Sequence, residues 1–354
     1  MTMTFHANGR RLLMMILIGL FLFLAGRPVS AEEPFRVGYI EGGNYWLFNR
    51  TFNAVKEALE EKGWKDRISF PEEAFFSPGW EAGASAWNEK AQDLMAMADL
   101  DLVIGMGTDG TRALIKENNG TTPILGMGVS NALKSGFIDS NEDSGIDNFT
   151  VRIVPGRYER MFEIFHQVIG FENLGLIYPD TESGREYTNL ESAKEVAEEK
   201  GFEILEYTLE KEDAPSCLKG LQALVDQGMD AFFIPSLLCF DWEKSDVNQL
   251  LAFLRENQIP TFARNGSRDV RAGALMGFST IDFSKRGQFL ADKMIRILEG
   301  AKPRELAMVD DAVPTISLNI HVAQQIGFDP PFDILAATDE IYREIKMPED
   351  RLVK

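Results

Sequence analysis

A glycine-rich turn is the clearest chemical motif in the chain. Residues 105–110 read G-x-G-x-x-G, directly after an apolar run and before an amphipathic stretch. Glycines let a bound group come close to the backbone, and a helix N-terminus offers unpaired N–H groups and partial positive charge to an anion. We therefore predict that Gly107 and Thr108 contact a ligand carboxylate, with the Thr108 hydroxyl as an added donor. The alternative is that Thr108 only caps the helix.

A dinucleotide is a second ligand class for this motif, but two features speak against it. The acid that binds the ribose should fall about 20 residues further on, and no Asp or Glu lies between Asn118 and Ile138. The motif also belongs to the third strand–helix unit of the chain, whereas the dinucleotide fingerprint opens the first. We expect no cofactor.

Polar residues at the ends of other predicted strands are further candidates for ligand binding. Glu182 could pair with an ammonium group, Ser183 could donate to a carboxylate, and Arg264 could hold a carboxylate through two hydrogen bonds. The alternatives are an ordinary exposed turn for the first two and a surface arginine for the third. Ser130 and Ser236 also follow strands, at the same edge of the predicted sheets.

Aromatic residues follow the first predicted strand, next to Glu41. Tyr45 could stack on a ligand side chain or hold a cation, and we expect it to be exposed. Trp46 could do the same, but its helical spacing from Phe52 fits the core equally well. Asp282 lies near a predicted crossover and could line the hinge side of a cleft.

Alternating apolar and amphipathic segments predict the elements that position these residues. In the first part of the chain, strands are predicted at 35–40, 67–70, 102–105 and 123–126, with helices at 44–62, 86–98 and 108–117. After a polar stretch at 139–148 the alternation restarts, with helices at 156–169, 185–200, 214–227 and 247–257 and strands at 174–178, 202–208, 231–234 and 260–263. The pattern predicts an α/β fold with two doubly wound parallel-sheet lobes joined by a hinge, each with a crevice at its strand carboxyl ends.

The domain boundaries follow from this pattern. We expect the first lobe to comprise 32–150 plus about 274–314, with a helix at 283–299 returning to it. The second lobe would comprise 151–273 plus about 315–354.

The N-terminal residues have the pattern of a secretory signal peptide. Arg10 and Arg11 precede an uncharged apolar run, and Val29-Ser30-Ala31 is a small-residue cleavage pattern. A membrane anchor is the alternative, but this run is shorter than the roughly 20 apolar residues that span a bilayer. We predict cleavage after Ala31 and a soluble, periplasmic mature chain.

The charge of the mature chain excludes some partners. The full chain has a net charge of −19, and removing 1–31, with three arginines and no acid, makes it −22. Such an acidic protein repels nucleic acid and anionic lipid, so we expect neither as a partner. The chain contains three histidines and two cysteines, and none of them clusters at metal-ligand spacing. We therefore expect no metal site.

The two cysteines could form a disulfide. Cys217 lies in the first turns of a predicted helix and Cys239 just past the following strand. In a parallel strand–helix unit both places are at the same sheet edge, within the roughly 5.5 Å Cα separation of a disulfide. Export would supply an oxidising compartment. The alternative is two buried thiols that only pack.

Several segments together resemble the ABC-transporter substrate-binding proteins of the type I periplasmic-binding fold, in the branch with tryptophan- and tyrosine-binding members. The resemblance covers most of the mature chain. It is carried, in order, by LGLIYPDTES at 174–183, SAK at 192–194, DAFFIP at 230–235, IPTF at 259–262, GAL at 273–275, EGAKP at 299–303, and Asn319 before Ala323 and Gly327.

The chain departs from the family's usual pattern at three places near the expected cleft. Gly184 follows Ser183 where the family usually has Asn, Val129-Ser130-Asn131-Ala132 replaces a segment with Asp-Pro, and Asn44-Tyr45-Trp46 replaces His-Pro. These departures leave the fold prediction intact and put the identity of the ligand in doubt.

The resemblance implies a solute-binding protein. It would close two lobes over a small organic ligand, amino-acid-like, and deliver it to an ABC permease, acting as a monomer. A ligand-sensing protein of the same fold that docks to a membrane receptor is one alternative, and a secreted α/β enzyme is another. The enzyme alternative has little support, since there is no G-x-S-x-G motif.

Overall fold

Two β-sheets form the framework of the protein. The computed structural model describes residues 1, 33–279, 283–311 and 315–353. The first sheet consists of β1 (Phe35–Glu41), β2 (Ile68–Ser69), β3 (Phe75–Phe76), β4 (Leu102–Met106), β5 (Ile124–Met127) and β6 (Phe149–Val151). The strand order is β2-β1-β4-β5-β6, with β3 also paired to β1, and the pairs are parallel.

The second sheet is larger. Its strands are β7 (Asn173–Pro179), β8 (Glu203–Leu209), β9 (Ala231–Ile234), β10 (Thr261–Ala263), β11 (Met276–Phe278), β12 (Ile316–Asn319) and β13 (Glu340–Tyr342). The order is β13-β12-β11-β10-β9-β7-β8, and only the β11–β12 pair is antiparallel within the described ranges. We call the parts of the chain built on the two sheets the first and second lobes.

Helices alternate with these strands. Those beside the first sheet or packed on it are Trp46–Glu61, Gly83–Ala96, Gly107–Lys116 and Ser284–Leu298. The others are Arg157–Ile169, Glu182–Thr188, Leu190–Lys200, Ala214–Asp226, Val247–Glu256, Ser267–Arg271, Ile320–Gln325 and Phe332–Ala337. The predicted α/β fold with two doubly wound parallel-sheet lobes is thereby confirmed.

Both sheets are covered on both faces. Leu102 and Ile104 of β4 belong to the cluster with the helix Trp46–Glu61, whereas Val103 belongs to the cluster with the helix Gly83–Ala96. Successive side chains of a strand point to opposite faces, so each face of the first sheet carries its own apolar core. Continuous apolar runs of this kind are typical of parallel strands buried on both sides.

The chain passes from the first sheet to the second after β6 and returns to the first lobe after β11. β6 pairs with β5 through Val151, so the chain leaves the first sheet after that residue. Met276 and Gly277 pair with β10, so the chain belongs to the second sheet at these residues. The turn at Gly273 leads from the helix Ser267–Arg271 into β11.

The helix Ser284–Leu298 packs closely against the helix Trp46–Glu61. A Cβ atom on Gly287 would lie 2.4 Å from the carbonyl oxygen of Ala54, which is closer than any normal contact. A glycine at this position therefore lets the returning helix reach the first lobe.

A single helix predicted at 185–200 is two helices. Asn189 adopts a left-handed conformation with φ of 58° and separates the helix ending at Thr188 from the one beginning at Leu190. Asparagine is one of the few side chains that tolerate this conformation. The break turns the Asn189 side chain toward the second lobe's Arg264, which donates a hydrogen bond to it.

Cys217 and Cys239 form a disulfide, with a Cα–Cα separation of 6.5 Å. The bond links the helix Ala214–Asp226 to the turn after β9, and both residues are fully buried. In the part of the chain that the structure describes, no helix is both long and apolar enough to cross a bilayer. The signal peptide and its cleavage site lie outside the described residues and stay a prediction.

Candidate functional site

A cavity of about 400 Å³ lies between the two lobes. Its walls come from segments that follow strand carboxyl ends in both sheets, where open α/β sheets bind ligands. From the first lobe these are Tyr45, Leu47, Phe48, Trp80, Gly83, Ala84, Trp87, Thr108, Asp109, Gly128 and Ser130, and from the second Pro179, Thr181, Ser183, Gly184, Tyr187, Glu212, Ser236, Leu237, Leu238 and Arg264.

Aromatic rings form the first-lobe wall of this cavity. Phe48 lies with its ring centroid 6.1 Å from that of Trp80, and the Trp87 indole donates to the carbonyl of Gly42 at 3.2 Å. A Cβ atom on Gly43 would lie 2.7 Å from Trp80, so the turn after β1 needs glycine to admit the indole. The wall suits a flat, apolar ligand group.

Asp109 connects the two lobes. It is buried in the first turn of the helix Gly107–Lys116. The Ser183 hydroxyl of the second lobe donates to its Oδ1 at 2.7 Å, and the Tyr187 hydroxyl donates to its Oδ2. Burial, reinforced by the nearby carboxylate of Asp109, holds the pKa of Tyr187 well above its usual value, so this hydroxyl stays a donor.

Glu212 places a second carboxylate at the cavity. Its Oε2 accepts from the backbone N–H of Leu238 at 2.8 Å. Burial raises the pKa of Glu212, and the charge of Asp109 raises it further. A bound cation would interact favourably with the two carboxylates in this cavity.

Arg264 provides the opposite charge. Its guanidinium donates to Asn189 at 2.6 Å, to Ser236, and across the cleft to the Ser130 hydroxyl at 2.8 Å. These partners are neutral, so Arg264 is a buried cation without an ion-pair partner among the described residues. An anionic ligand group would supply the missing charge.

Thr108 and Tyr45 complete the polar lining. The Thr108 hydroxyl accepts from the backbone N–H of Ser130 at 3.1 Å and makes no N-terminal cap. It therefore fixes the loop after β5. Tyr45 is buried rather than exposed as predicted, because Phe48 and Trp46 pack against its ring. Its hydroxyl has no hydrogen-bond partner of normal geometry in the described ranges.

Six of the eleven predicted ligand contacts line the cavity. These are Tyr45, Thr108, Ser130, Ser183, Ser236 and Arg264.

Four others lie elsewhere. Glu41 is held behind the cavity by the Tyr39 and Ser77 hydroxyls. Glu182 is exposed and pairs with Arg112 at 3.1 Å, because the chain turns Ser183 inward instead.

Trp46 lines a separate cavity and stacks under Arg268. Gly107 leaves room for the Phe48 ring, which a Cβ atom would meet at 2.5 Å. The eleventh residue, Asp282, lies outside the described residues.

The departure at position 184 has a steric reason. A Cβ atom on Gly184 would lie 2.2 Å from the carbonyl oxygen of Pro179, and the Gly184 N–H donates to the Thr181 hydroxyl at 3.0 Å. This tight turn accepts only glycine in the present chain, and it directs Ser183 toward Asp109.

Five lining residues on which the chemistry of the cavity depends were not predicted from the sequence, namely Trp80, Trp87, Asp109, Tyr187 and Glu212. Asp109 lies inside the glycine motif and Glu212 follows β8, so the strand-end rule would have found both. Trp80 lies in an irregular segment, and Trp87 lies in the helix that follows it. In the sequence, only the adjacent glycines Gly42 and Gly43 indicated that bulky side chains pack against the turn after β1. In the described residues, no group of His, Cys, Asp or Glu could hold a metal ion.

Comparison with known proteins gives a consistent picture of the fold. The sequence model of the ABC transporter substrate binding protein family matches residues 48–342. A structure from Streptococcus pneumoniae, described as an ABC domain in complex with L-Trp, superposes with a TM-score of 0.71 at 17% identity, covering 87% of this chain and 99% of that one.

Two further structures are similar. A conserved domain protein from Vibrio cholerae gives a TM-score of 0.70 at 18% identity, covering 87% of this chain and 99% of the other. The ligand-free, open structure of a substrate binding protein with adhesive properties from Clostridium difficile gives 0.59 at 19%, covering 88% and 100%. No curated protein sequence matches the chain.

Proposed function

The chain belongs to the ABC transporter substrate binding protein family, and we propose that it closes its two lobes over a small aromatic, amino-acid-like ligand and delivers it to an ABC permease. The observation that carries the proposal is Asp109, a first-lobe carboxylate held by two hydroxyls of the second lobe inside an aromatic-walled cavity. We further propose that the mature protein is exported and monomeric.

The cavity offers one position for each part of such a ligand. Asp109 and Glu212 would hold the ammonium group, and Arg264 with the Ser130 and Ser236 hydroxyls would hold the carboxylate. Phe48 and the two indoles would contact the aromatic side chain. The similar structure from Streptococcus pneumoniae contains L-Trp, which supports an aromatic amino acid as the first ligand to test.

The size and enclosure of the cavity fit this class of ligand. Its volume of about 400 Å³ falls in the range of small-molecule sites, roughly 300–1,000 Å³. Apolar walls with a few converging polar groups are the usual composition of such sites. The buried disulfide agrees with a protein that works in an oxidising compartment.

Calorimetric titration with two ligands tests the ammonium assignment. Tryptophan carries the ammonium group and indole-3-propionate lacks it. Asp109→Asn should weaken tryptophan binding by roughly ten- to a hundred-fold, as expected for the loss of a charge-assisted hydrogen bond. The same change should affect indole-3-propionate much less.

Two further variants serve as controls. Asp66→Asn removes an exposed carboxylate and should bind tryptophan like the wild type. Tyr187→Phe removes a hydrogen bond to Asp109 but keeps its charge, so it should lose less affinity than Asp109→Asn. If Asp109→Asn weakens both ligands equally, Asp109 acts only in lobe contact. If the wild type binds no aromatic amino acid, the proposed ligand class is wrong.

A further inference from the structure

A second cavity, of about 290 Å³, adjoins the ligand cavity at the hinge. The two share Leu47, Gly128, Ser130 and Arg264 as lining residues. The rest of its wall comes from the loop after β5, the crossover segment after β6 and the start of the helix Ser284–Leu298, with Glu195 and Asn265 of the second lobe. The proposed function makes no use of this space.

Four arginines line the hinge cavity: Arg152, Arg157, Arg264 and Arg286. Arg152 is neutralised by Asp310 at 2.6 Å. Arg157 donates no side-chain hydrogen bond to any described residue and lies 5.6 Å from the Phe278 ring. Among the described residues Arg286 donates only to the Thr51 hydroxyl, at 3.3 Å, and it lies 4.9 Å from the Phe283 ring.

The acidic residues near this cavity have other partners. Glu159 and Glu195 also line it, but both pair with Lys134, at 2.9 and 2.5 Å. Among the described residues, Arg157 and Arg286 therefore have no carboxylate within ion-pair distance.

Burial and the charges of neighbouring arginines both lower the pKa of Arg157 and that of Arg286. Burial lowers the pKa of Arg157 to about 10 and that of Arg286 to about 9, and the charge of Arg152 lowers both further. Both side chains still carry their charge at neutral pH. Half-buried like charges with no carboxylate at ion-pair distance among the described residues are costly, and a bound anion would relieve that cost.

We propose that the hinge cavity is an anion-binding subsite in which Arg157, Arg286 and Arg264 hold a phosphate, sulfate or carboxylate group. The chain as a whole is acidic, with a net charge of −19, so this concentration of guanidinium groups is a local feature of the hinge. Because Arg264 borders both cavities, the anion is either a second charged group of the ligand or a separate ion beside it. If the anion is a second charged group of the ligand, the proposal rests on the proposed function; if it is a separate ion, it does not.

Titration of the full mature chain with inorganic phosphate tests the subsite directly. In buffer of low ionic strength without other polyvalent anions, the wild type should bind phosphate. Arg157→Gln and Arg286→Gln should each lose roughly ten- to a hundred-fold in affinity, the range for a charge-assisted hydrogen bond. Arg343→Gln, which removes an exposed arginine, should bind like the wild type. Circular dichroism and thermal unfolding of each variant show whether it is folded.

A pair of dipeptides identifies the source of the anion. Phenylalanyl-aspartate and phenylalanyl-asparagine have nearly the same shape and differ by one carboxylate. If the wild type prefers phenylalanyl-aspartate and Arg157→Gln abolishes that preference, the subsite binds a charged group of the ligand. If the wild type binds phosphate but prefers neither dipeptide, the subsite binds a free anion. If neither phosphate binding nor the dipeptide preference depends on Arg157 or Arg286, the subsite does not exist. Failure of tryptophan to bind would reject the proposed ligand class alone, since the phosphate titration needs no amino acid.

Discussion

Two buried aspartates, Asp109 and Asp269, differ in how many hydrogen bonds their carboxylates accept. Asp109 accepts hydroxyl donors on both carboxylate oxygens. Asp269 accepts only the Trp242 indole N–H, at 2.8 Å, and its Oδ2 has no partner among the described residues. Burial raises the pKa of Asp269 to about 6, although the Trp242 hydrogen bond and Arg268 oppose the shift. Ionisation of Asp269 should therefore cost stability.

The stability of the fold should depend on pH through Asp269. The folded protein holds this proton more tightly than the unfolded chain, so the free energy of unfolding falls as pH rises from about 4 through 6. A shift of about two units corresponds to about 3 kcal/mol. Asp269→Asn cannot ionise, so relative to wild type it should gain about that amount between pH 4 and pH 7.5 in urea denaturation. Asp226→Asn, at an exposed site, should show no such gain, and an equal gain in both variants would contradict the assignment.

At the residue scale, the strand-end rule predicted much of the site. It identified Ser183, Ser236 and Arg264 because carboxyl ends of parallel strands meet at one edge. It did not distinguish Glu182 from Ser183, since the direction of a side chain in a turn depends on local steric contacts such as that at Gly184. The hinge arginines at 152, 157 and 286 were also missed, because they are brought together only by two crossovers far apart in sequence.

At the scale of elements, the alternation of strands and helices was predictable, but short or irregular elements were not. β3 and β6 have two and three residues, too few for a periodic pattern. The helix break at Asn189 lies within a continuous amphipathic pattern, so periodicity could not reveal it. The helix Glu182–Thr188 before this break nonetheless lines the ligand cavity, and the segment after β6 lines the hinge cavity.

The disulfide should stabilise the second-lobe wall of the ligand cavity. It closes a segment with a sequence separation of 22 between the helix Ala214–Asp226 and the turn after β9. Loop-closure entropy for this length corresponds to about 3 kcal/mol. Urea denaturation of the wild type should therefore show a loss of about that size when a reductant is added. The double variant Cys217→Ala, Cys239→Ala should be insensitive to the reductant, and a wild type equally insensitive would contradict the prediction.

At the scale of the whole molecule, closure of the lobes brings opposite charges together at the rim of the cleft. Arg112 of the first lobe pairs with Glu186 at 2.6 Å and with Glu182 at 3.1 Å. Lys134, on the loop after β5, pairs with Glu195 of the second lobe at 2.5 Å. These contacts exist only when the lobes are close, so they favour the closed arrangement with or without a ligand. The sequence could not predict them, because they join segments about 60 to 75 residues apart.

Removing these rim charges should shift the ligand-free protein toward an open arrangement. Such ion pairs contribute about 0.2–1 kcal/mol each, and the double variant Arg112→Gln, Lys134→Gln removes the three pairs above, so it should lose roughly three- to a hundredfold in ligand affinity. Small-angle X-ray scattering should show a larger radius of gyration for the ligand-free variant than for the wild type, and saturating ligand should restore the wild-type value. Lys65→Gln breaks an exposed pair within the first lobe and should change neither measurement.

Concentrated salt should also lower the ligand affinity of the wild type and increase its ligand-free radius of gyration, because it screens the same charges. If the double variant keeps both the radius of gyration and the affinity of the wild type, the rim charges do not contribute to closure, and the contacts of Asp109 and Arg264 inside the cleft must hold the lobes together.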